Sequence, residues 1–365
     1  MNERLDAVQR VIDAFKQGAM VAVLDDDDRE NEGDLIVAAS LCTSEKMAFI
    51  IRHSSGIVCA PLTVAEARRL RLDPMVSVND APHSTAFTVS VDVRHGTTTG
   101  ISADDRTNTV RALANGNIGA SDFVRPGHVF PLVARPGGVL MRSGHTEAAV
   151  DLCRLAGLPE VGVIGELMND DGTVMRGPQV RAFSNQHAIP VITVADLIAF
   201  RQVRERLVER VSEFTVTTPI GPARGISYRT PFDELEQLAV VFGDVAGKAG
   251  VAARLHRQDI LADIFGDQTT LKATYRKFSE AGCGVLIYLR EGSAGVPSAS
   301  MAPGGNEGHG SASSRNETWR EVGLGAQILR DIGISSIRLL SSRERRYIGL
   351  EGFGITITAT ERLGD

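Results

Sequence analysis

Cysteine is scarce in this chain, and what there is of it is scattered. Cys42, Cys59, Cys153 and Cys283 are the only four in 365 residues. They form no C-x-x-C pair and no zinc-ligand spacing, which argues against a disulfide framework and a cysteine-built zinc site. The expectation is a reduced, cytoplasmic protein. Long apolar runs are also missing: none reaches eighteen residues, so no membrane-spanning helix is expected. Basic residues are not in excess. Lys and Arg number 39 against 45 Asp and Glu, a net charge of −6, which gives the chain no electrostatic reason to seek nucleic acid or an anionic membrane. The first eighteen residues form an amphipathic helical pattern containing acids, not a secretory or transit peptide. What is plentiful is ordinary. A hydrophobic fraction of 43% and a charged fraction of 23% are those of a soluble globular protein, with enough chain for two domains.

Periodicity gives a coarse map. Val8, Val11, Ile12 and Phe15 mark one helical face, with Gly18 as its stop. A buried strand is expected over 19–24 and another over 34–39, then a helix over 44–53 and a strand over 56–60. Thr63-x-x-Glu66 and Ser102-x-x-Asp105 read as helix starts. Strands are expected over 87–93, 129–134, 161–167 and 191–193. One helix follows Gly144 through Leu155, and a long one follows residue 193 to about Arg210. Strand and helix alternate, so the fold class is layered α/β, with a mixed sheet. The charged stretch 201–213 is expected to close the first domain, giving domains at 1–208 and 212–365. In the second, residues 214–218, 225–229, 235–242 and 336–340 are strand-like and 319–332 helical. Residues 292–314, rich in Gly, Ser, Ala and Pro, predict a mobile loop.

The densest chemical signal is residues 25–34, Asp-Asp-Asp-Asp-Arg-Glu-Asn-Glu-Gly-Asp, with seven carboxylates in ten positions. Three readings compete. A solvated charge run is the bland one. A calcium loop fails because Ala39 stands where the bidentate glutamate belongs. Mg²⁺ held by one or two acids, water and substrate oxygens is the third. A second cluster favours it: Arg142-Ser143-Gly144-His145-Thr146-Glu147 precedes a helix. Thr146 is expected to cap that helix, whose free N–H groups suit an anion, and Arg142 can grip a phosphate through paired hydrogen bonds. His145 reads as a metal ligand or a structural histidine. His128 sits in the Pro/Gly-bounded loop 125–131, and residues 96–102 offer hydroxyls and backbone donors, or simply a turn and a helix cap. Glu166 falls within an apolar run. Burying it is costly unless it is paired, so it is either an acid/base of raised pKa or a salt-bridge partner.

Seven strings in register, LDDDDRENEGDLI at 24–36, RHSSGIVCAPL at 52–62, TAFTVSVD at 85–92, TTTGISADDR at 97–106, RPGHVFPL at 125–132, RSGHTEAAVDLCRLAGL at 142–158 and GELMNDDGTVMR at 165–176, closely resemble 3,4-dihydroxy-2-butanone-4-phosphate synthase of riboflavin biosynthesis. The resemblance implies a three-layer mixed-sheet fold and a homodimer with sites near the interface. It implies conversion of D-ribulose 5-phosphate to L-3,4-dihydroxy-2-butanone 4-phosphate and formate. Glu30 and His145 would be the ligands of Mg²⁺ (or Mn²⁺), with Arg29, Glu30, Asp34 and the segment Arg142, Ser143, Gly144, His145 and Thr146 on substrate. His128 and Glu166 would be acid/base groups, and Asp25 and Cys59 would line the pocket. The family often has His-Gly-Thr where this chain has His83-Ser84-Thr85.

The second domain resembles GTP cyclohydrolase II through FTVTTPIGPARGISYR at 214–229, LAVVFGD at 238–244, ARLHRQDILADIFGD at 253–267 and IRLLSSRERRYIGLEGFGI at 337–355. That family holds Zn²⁺ with three cysteines, and residues 256–270 contain none. The resemblance therefore implies a degenerate domain with no zinc and no cyclohydrolase chemistry. The alternatives are a bifunctional enzyme or a nucleotide-binding or scaffolding module.

Overall fold

The computed structural model describes residues 2–25, 31–81, 85–230, 233–290, 323–342 and 355–363. The chain divides into two units, residues 1–200 and 201–365, a break ahead of the boundary expected at 208–212. No helix among the described residues is long and apolar enough to cross a membrane.

The first unit opens with α1 (Asn2–Lys16), which buries Val8, Val11, Ile12 and Phe15 and ends at Gly18, where φ is 90°. Strands β1 (Val21–Leu24) and β2 (Gly33–Ala38) are buried along their whole length, which is why they read as continuous apolar runs rather than alternating ones. Helix α2 (Ser44–His53) is capped by Thr43, and after β3 (Cys59–Leu62) α3 (Val64–Arg69) is capped by Thr63. Next come β4 (Val91–Val93), α4 (Ala103–Leu113) with Ser102 as its cap, and β5 (Phe123–Val133). Helix α5 (His145–Leu155), β6 (Gly162–Glu166), α6 (Gly177–Gln186), β7 (Val191–Thr193) and α7 (Val194–Arg204) complete it.

The strands form one mixed sheet ordered β4-β5-β3-β6-β2-β1-β7. Its pairs are antiparallel except β1 with β7 and β3 with β5. One face places Leu24, Leu35, Val37, Ala60, Leu62 and Val163 in a core with Met47, Ile50, Val110, Leu113, Val180 and Phe183 of α2, α4 and α6. Helices α1 and α5 cover the other. Gly162 allows α5 to lie close, since a Cβ there would stand 2.9 Å from that of Ala149. The result is the three-layer arrangement expected.

The second unit starts with the antiparallel run β8 (Glu209–Thr218), β9 (Gly221–Thr230) and β10 (Asp233–Phe242). Then follow β11 (Val251–Arg257), α8 (Thr269–Ala281), β12 (Gly284–Leu289), helix α9 (323–332), β13 (Ser336–Ser341) and β14 (Thr356–Arg362). Its sheet is ordered β14-β13-β11-β12-β10-β9-β8. Phe278 of α8 packs against Gly284, where a Cβ would stand 2.1 Å from the ring.

Three boundaries differ from the sequence reading. The helix expected to reach Arg210 stops at Arg204, because residues 209–218 pair along β9, with Glu209 opposite Arg229. The strand expected at 56–60 starts at Cys59. Gly56 takes a φ of 79° and donates its N–H to Ser54 Oγ, so it makes a turn. Over 87–93 only Val91–Val93 is regular strand, with Phe87 in a single bridge. Helix α6, strands β11, β12 and β14, and α8 were not anticipated. The loop expected at 292–314, the first turn of the helix expected at 319–332, and His83-Ser84 lie outside the described residues.

Candidate active site

Side chains alternate along a strand, and the register of the first sheet decides which meet. Asp34 pairs with Glu166, Ile36 with Ile164, and Cys59 also with Ile164. Asp34, Cys59, Ile164 and Glu166 therefore share the face that α5 covers. The N-terminus of α5 and the loop before it bring Arg142, His145 and Thr146 over these positions. The space between is a pocket of about 150 Å³, walled on its apolar side by Ile57, Phe87, Leu132 and Ile164.

The polar lining is held from behind. Arg142 Nη1 donates to Glu147 Oε2 at 2.7 Å and Nη2 to Thr85 Oγ1 at 3.1 Å. Glu147 is only 1% exposed and also accepts the N–H of Arg135, so the guanidinium is fixed by a carboxylate that cannot turn to water. His145 Nδ1 stands 3.6 Å from Asp34 Oδ1, and both residues are buried. Gly144 is the N-cap of α5 and leaves room for Arg142: a Cβ there would lie 2.6 Å from Nη1. Burial first, then the Glu166 and Asp34 carboxylates, push the Cys59 thiol up to about 12. Cys59 is thus a neutral wall of the pocket.

Two other candidates stand apart from this lining. Asp25 follows β1, is buried, and ties the base of the acidic loop, accepting Glu32 N–H at 2.9 Å while its own N–H donates to Glu32 O at 3.2 Å. His128, on β5, is paired with Asp92 of β4. Its backbone N–H donates to Oδ1 at 2.8 Å, and Nδ1 lies 2.7 Å from Oδ2. Gly100, at φ 92°, seats the 97–100 loop on this pair, since a Cβ would come within 2.1 Å of Asp92 Oδ2 and 2.6 Å of His128 Nδ1. Arg29 and Glu30 lie outside the described residues.

Two sequence expectations need correction. Glu166 is not buried: it is the exposed last residue of β6, at the pocket rim, because the strand ends there and β-alternation turns its side chain off the core. Thr146 does not cap α5. Gly144 occupies that position, and Thr146 lies inside the first turn. Asp92, Glu147 and Thr85 were missed as functional candidates. Each lies within a quoted string, but nothing local marks it, since each matters only through a partner at least five residues away.

A pocket with polar and apolar walls on the α5-covered face of a mixed sheet marks an α/β protein with a candidate small-molecule site. The chain belongs to the 3,4-dihydroxy-2-butanone 4-phosphate synthase family, whose model matches residues 9–200, and a GTP cyclohydrolase II model matches residues 209–362. It is 42% identical to the bifunctional riboflavin biosynthesis protein RIBA 1, chloroplastic, of Arabidopsis thaliana, over 96% of this chain and 68% of that one. It is similar to the crystal structure of RibBX, a two-domain 3,4-dihydroxy-2-butanone 4-phosphate synthase from A. baumannii. The TM-score is 0.81 and the identity 33%, over 97% of this chain and 98% of that one. A 3,4-dihydroxy-2-butanone 4-phosphate synthase solved with two magnesium ions matches 53% of this chain and 94% of its own, at 50% identity and a TM-score of 0.52.

Proposed function

We propose that the first unit converts D-ribulose 5-phosphate to L-3,4-dihydroxy-2-butanone 4-phosphate and formate. The observation that carries this is the convergence of Asp34, Arg142, His145, Thr146 and Glu166 on one pocket. Arg142 and the free N–H groups at the start of α5 receive the phosphate, with Glu147 holding the guanidinium in place. Asp34 and Ser143 orient substrate hydroxyls. Glu166, exposed at the rim, moves protons between substrate carbons and oxygens. His128, turned by Asp92, is a second acid/base group. Asp25 braces the acidic loop. The donor set suits a hard divalent cation: a carboxylate stands beside the His145 imidazole, and such ions keep few protein ligands and take their remaining oxygens from water and substrate. His145 with Glu30 would hold Mg²⁺ (or Mn²⁺), which when bound would supply positive charge near an oxyanion formed beside a carbonyl.

For the second unit we propose a cyclohydrolase II-like domain without the cyclohydrolase reaction. Support comes from its cysteine content: Cys283 is the one cysteine after Cys153 and it is buried, so a three-thiolate zinc set cannot be assembled. The bifunctional name of the Arabidopsis relative favours the second reading, activity in both domains. Incubation with ribulose 5-phosphate and Mg²⁺, and separately with GTP and Zn²⁺, tests both. Formate is expected from the first alone. None from the first sinks the synthase reading, and formate from the second establishes a bifunctional enzyme.

A further inference from the structure

Asp105, in the first turn of α4, is 3% exposed and spends both carboxylate oxygens on one loop. Oδ1 accepts Thr98 N–H at 2.8 Å, and Oδ2 accepts the Thr98 hydroxyl at 2.8 Å and Gly100 N–H at 3.0 Å. Residues 97–100 lie in no helix or strand that could take up these donors, so a side chain does. The Thr98 N–H first, then its hydroxyl, hold the Asp105 carboxyl down at about 2, and it accepts all three bonds as a carboxylate through neutral pH. Helix α4 grips β4 as well. Thr109 Oγ1 donates to the Asp105 carbonyl at 3.0 Å and accepts Val93 N–H at 3.0 Å, and Thr97 Oγ1 donates to the Val93 carbonyl at 2.8 Å. Loop, helix and strand are thereby tied together next to Asp92.

What the loop covers is the contact between Asp92 and His128. Nδ1 of the ring lies 2.7 Å from Asp92 Oδ2, and a Cβ on Gly100 would stand 2.1 Å from that oxygen and 2.6 Å from that nitrogen. The glycine backbone therefore lies against the contact itself and keeps water off it. The His128 side chain is 40% exposed and that of Asp92 only 9%, so the covered end of the ring is the Nδ1 end. Water admitted there would compete for the carboxylate and leave the imidazole free to turn. We propose that Asp105 is a positioning residue for the His128–Asp92 pair, holding Gly100 as a cover over the Nδ1–Oδ2 contact. This rests on the reading of His128 as an acid/base group. Asp105 acts through the loop and not on substrate, since neither it nor residues 97–100 line the pocket.

The test is Asp105→Ala, which deletes all three acceptors, beside Asp105→Asn, which keeps one oxygen and puts a donor where the other accepted. With ribulose 5-phosphate, kcat for formate release is expected to fall about 10- to 100-fold in the alanine variant and about three- to ten-fold in the asparagine variant. KM is expected to stay within about three-fold. In a His128→Asn background, Asp105→Ala is expected to change kcat by less than about two-fold, because the group it positions is gone. The Nδ1 proton of His128, followed by NMR of the nitrogen-labelled ring, is expected as a distinct signal in the unaltered protein and to be lost to exchange with water in Asp105→Ala. An unchanged kcat, effects that multiply in the double variant, or a ring proton that persists overturns the proposal. If Asp105→Ala does not fold, Asp105→Asn decides by the same three readings. Full activity in His128→Asn overturns the acid/base reading and takes this inference with it, whereas the other outcomes, found beside an inactive His128→Asn, overturn this inference alone.

Discussion

The two units each gather histidine, carboxylate and hydroxyl groups on one face of a seven-stranded sheet, and they use them in opposite ways. In the first, Asp34, His145, Arg142 and Glu166 converge on an open space of about 150 Å³ and are braced from behind by Glu147 and Thr85. In the second, the groups turn on one another. Asp263 accepts Tyr288 OH at 2.6 Å and Asp259 N–H at 3.0 Å, and lies 2.9 Å from His256 Nε2. The His256 and Tyr288 rings stack with centroids 5.3 Å apart. Burial lowers the pKa of His256 against the pull of Asp263, and raises that of Tyr288 with Asp263 adding to it. Both effects keep the rings neutral. A site leaves hydrogen-bonding capacity facing a space, whereas here Asp263, the Tyr288 hydroxyl and His256 Nε2 spend theirs on one another, and His256 Nδ1 is buried with no hydrogen-bond partner among the described residues. The same residue types therefore point to chemistry in one unit and to anchoring of the 257–268 loop in the other.

The largest effect that tests this contrast is His145→Ala. If the pocket is catalytic, formate release from ribulose 5-phosphate falls by about 10³-fold or more while the melting temperature moves little. Glu30→Gln is expected to match it. A variant retaining a tenth of the activity removes His145 from the metal-ligand role. Asp263→Ala should behave in the opposite way. Deleting the acceptor of the Tyr288, Asp259 and His256 contacts costs about 2–4 kcal/mol of stability in the second unit, while formate release below the new melting temperature stays within about two-fold. A loss of synthase activity with no loss of stability breaks the division of labour.

Arg142→Lys has a smaller expected effect. A lysine keeps the charge but not the fork that reaches Glu147 and Thr85 together. KM for ribulose 5-phosphate is expected to rise about ten-fold with kcat within about three-fold. A change confined to kcat moves Arg142 from binding to the chemical step.

How far the sequence carried differs between the units for physical reasons. The helix caps Thr63 and Ser102 were legible because capping acts over three residues. The pairing of Asp34 with Glu166 was not, since it depends on the register between strands more than a hundred residues apart. Most of the polar pocket residues were named from motif strings, but their supports were missed: Glu147 and Asp92 contact Arg142 and His128 through side-chain geometry that only the folded chain shows. The exposure of Glu166 was misread because an apolar run does not say where a strand ends. In the second unit, β12 is a short buried apolar strand, and β11 is buried but carries Arg254, His256 and Arg257, so neither shows a period that distinguishes it from helix.

Cys59 sharpens the comparison at its finest grain, because it lines the pocket yet resembles the second unit's buried groups in being held neutral. Burial, Glu166 and Asp34 all raise its pKa, to about 12. At pH 8 the thiolate is then about one part in ten thousand, so Cys59 acts neither as a nucleophile nor as a base near neutrality. Cys59→Ser replaces a neutral donor by another of similar shape. It is expected to change kcat/KM by less than about three-fold and to leave the pH profile in place between pH 6 and 9. Iodoacetamide should label native Cys59 far more slowly at pH 8 than the unfolded chain's thiols. The sign follows from linkage: a thiol whose folded pKa lies above its unfolded value of 9.0 contributes stability below pH 9 and loses it as pH climbs toward 12. An alkaline limb that disappears in Cys59→Ser, or rapid labelling at pH 8, would make Cys59 a reacting group and place it with His145 rather than with His256.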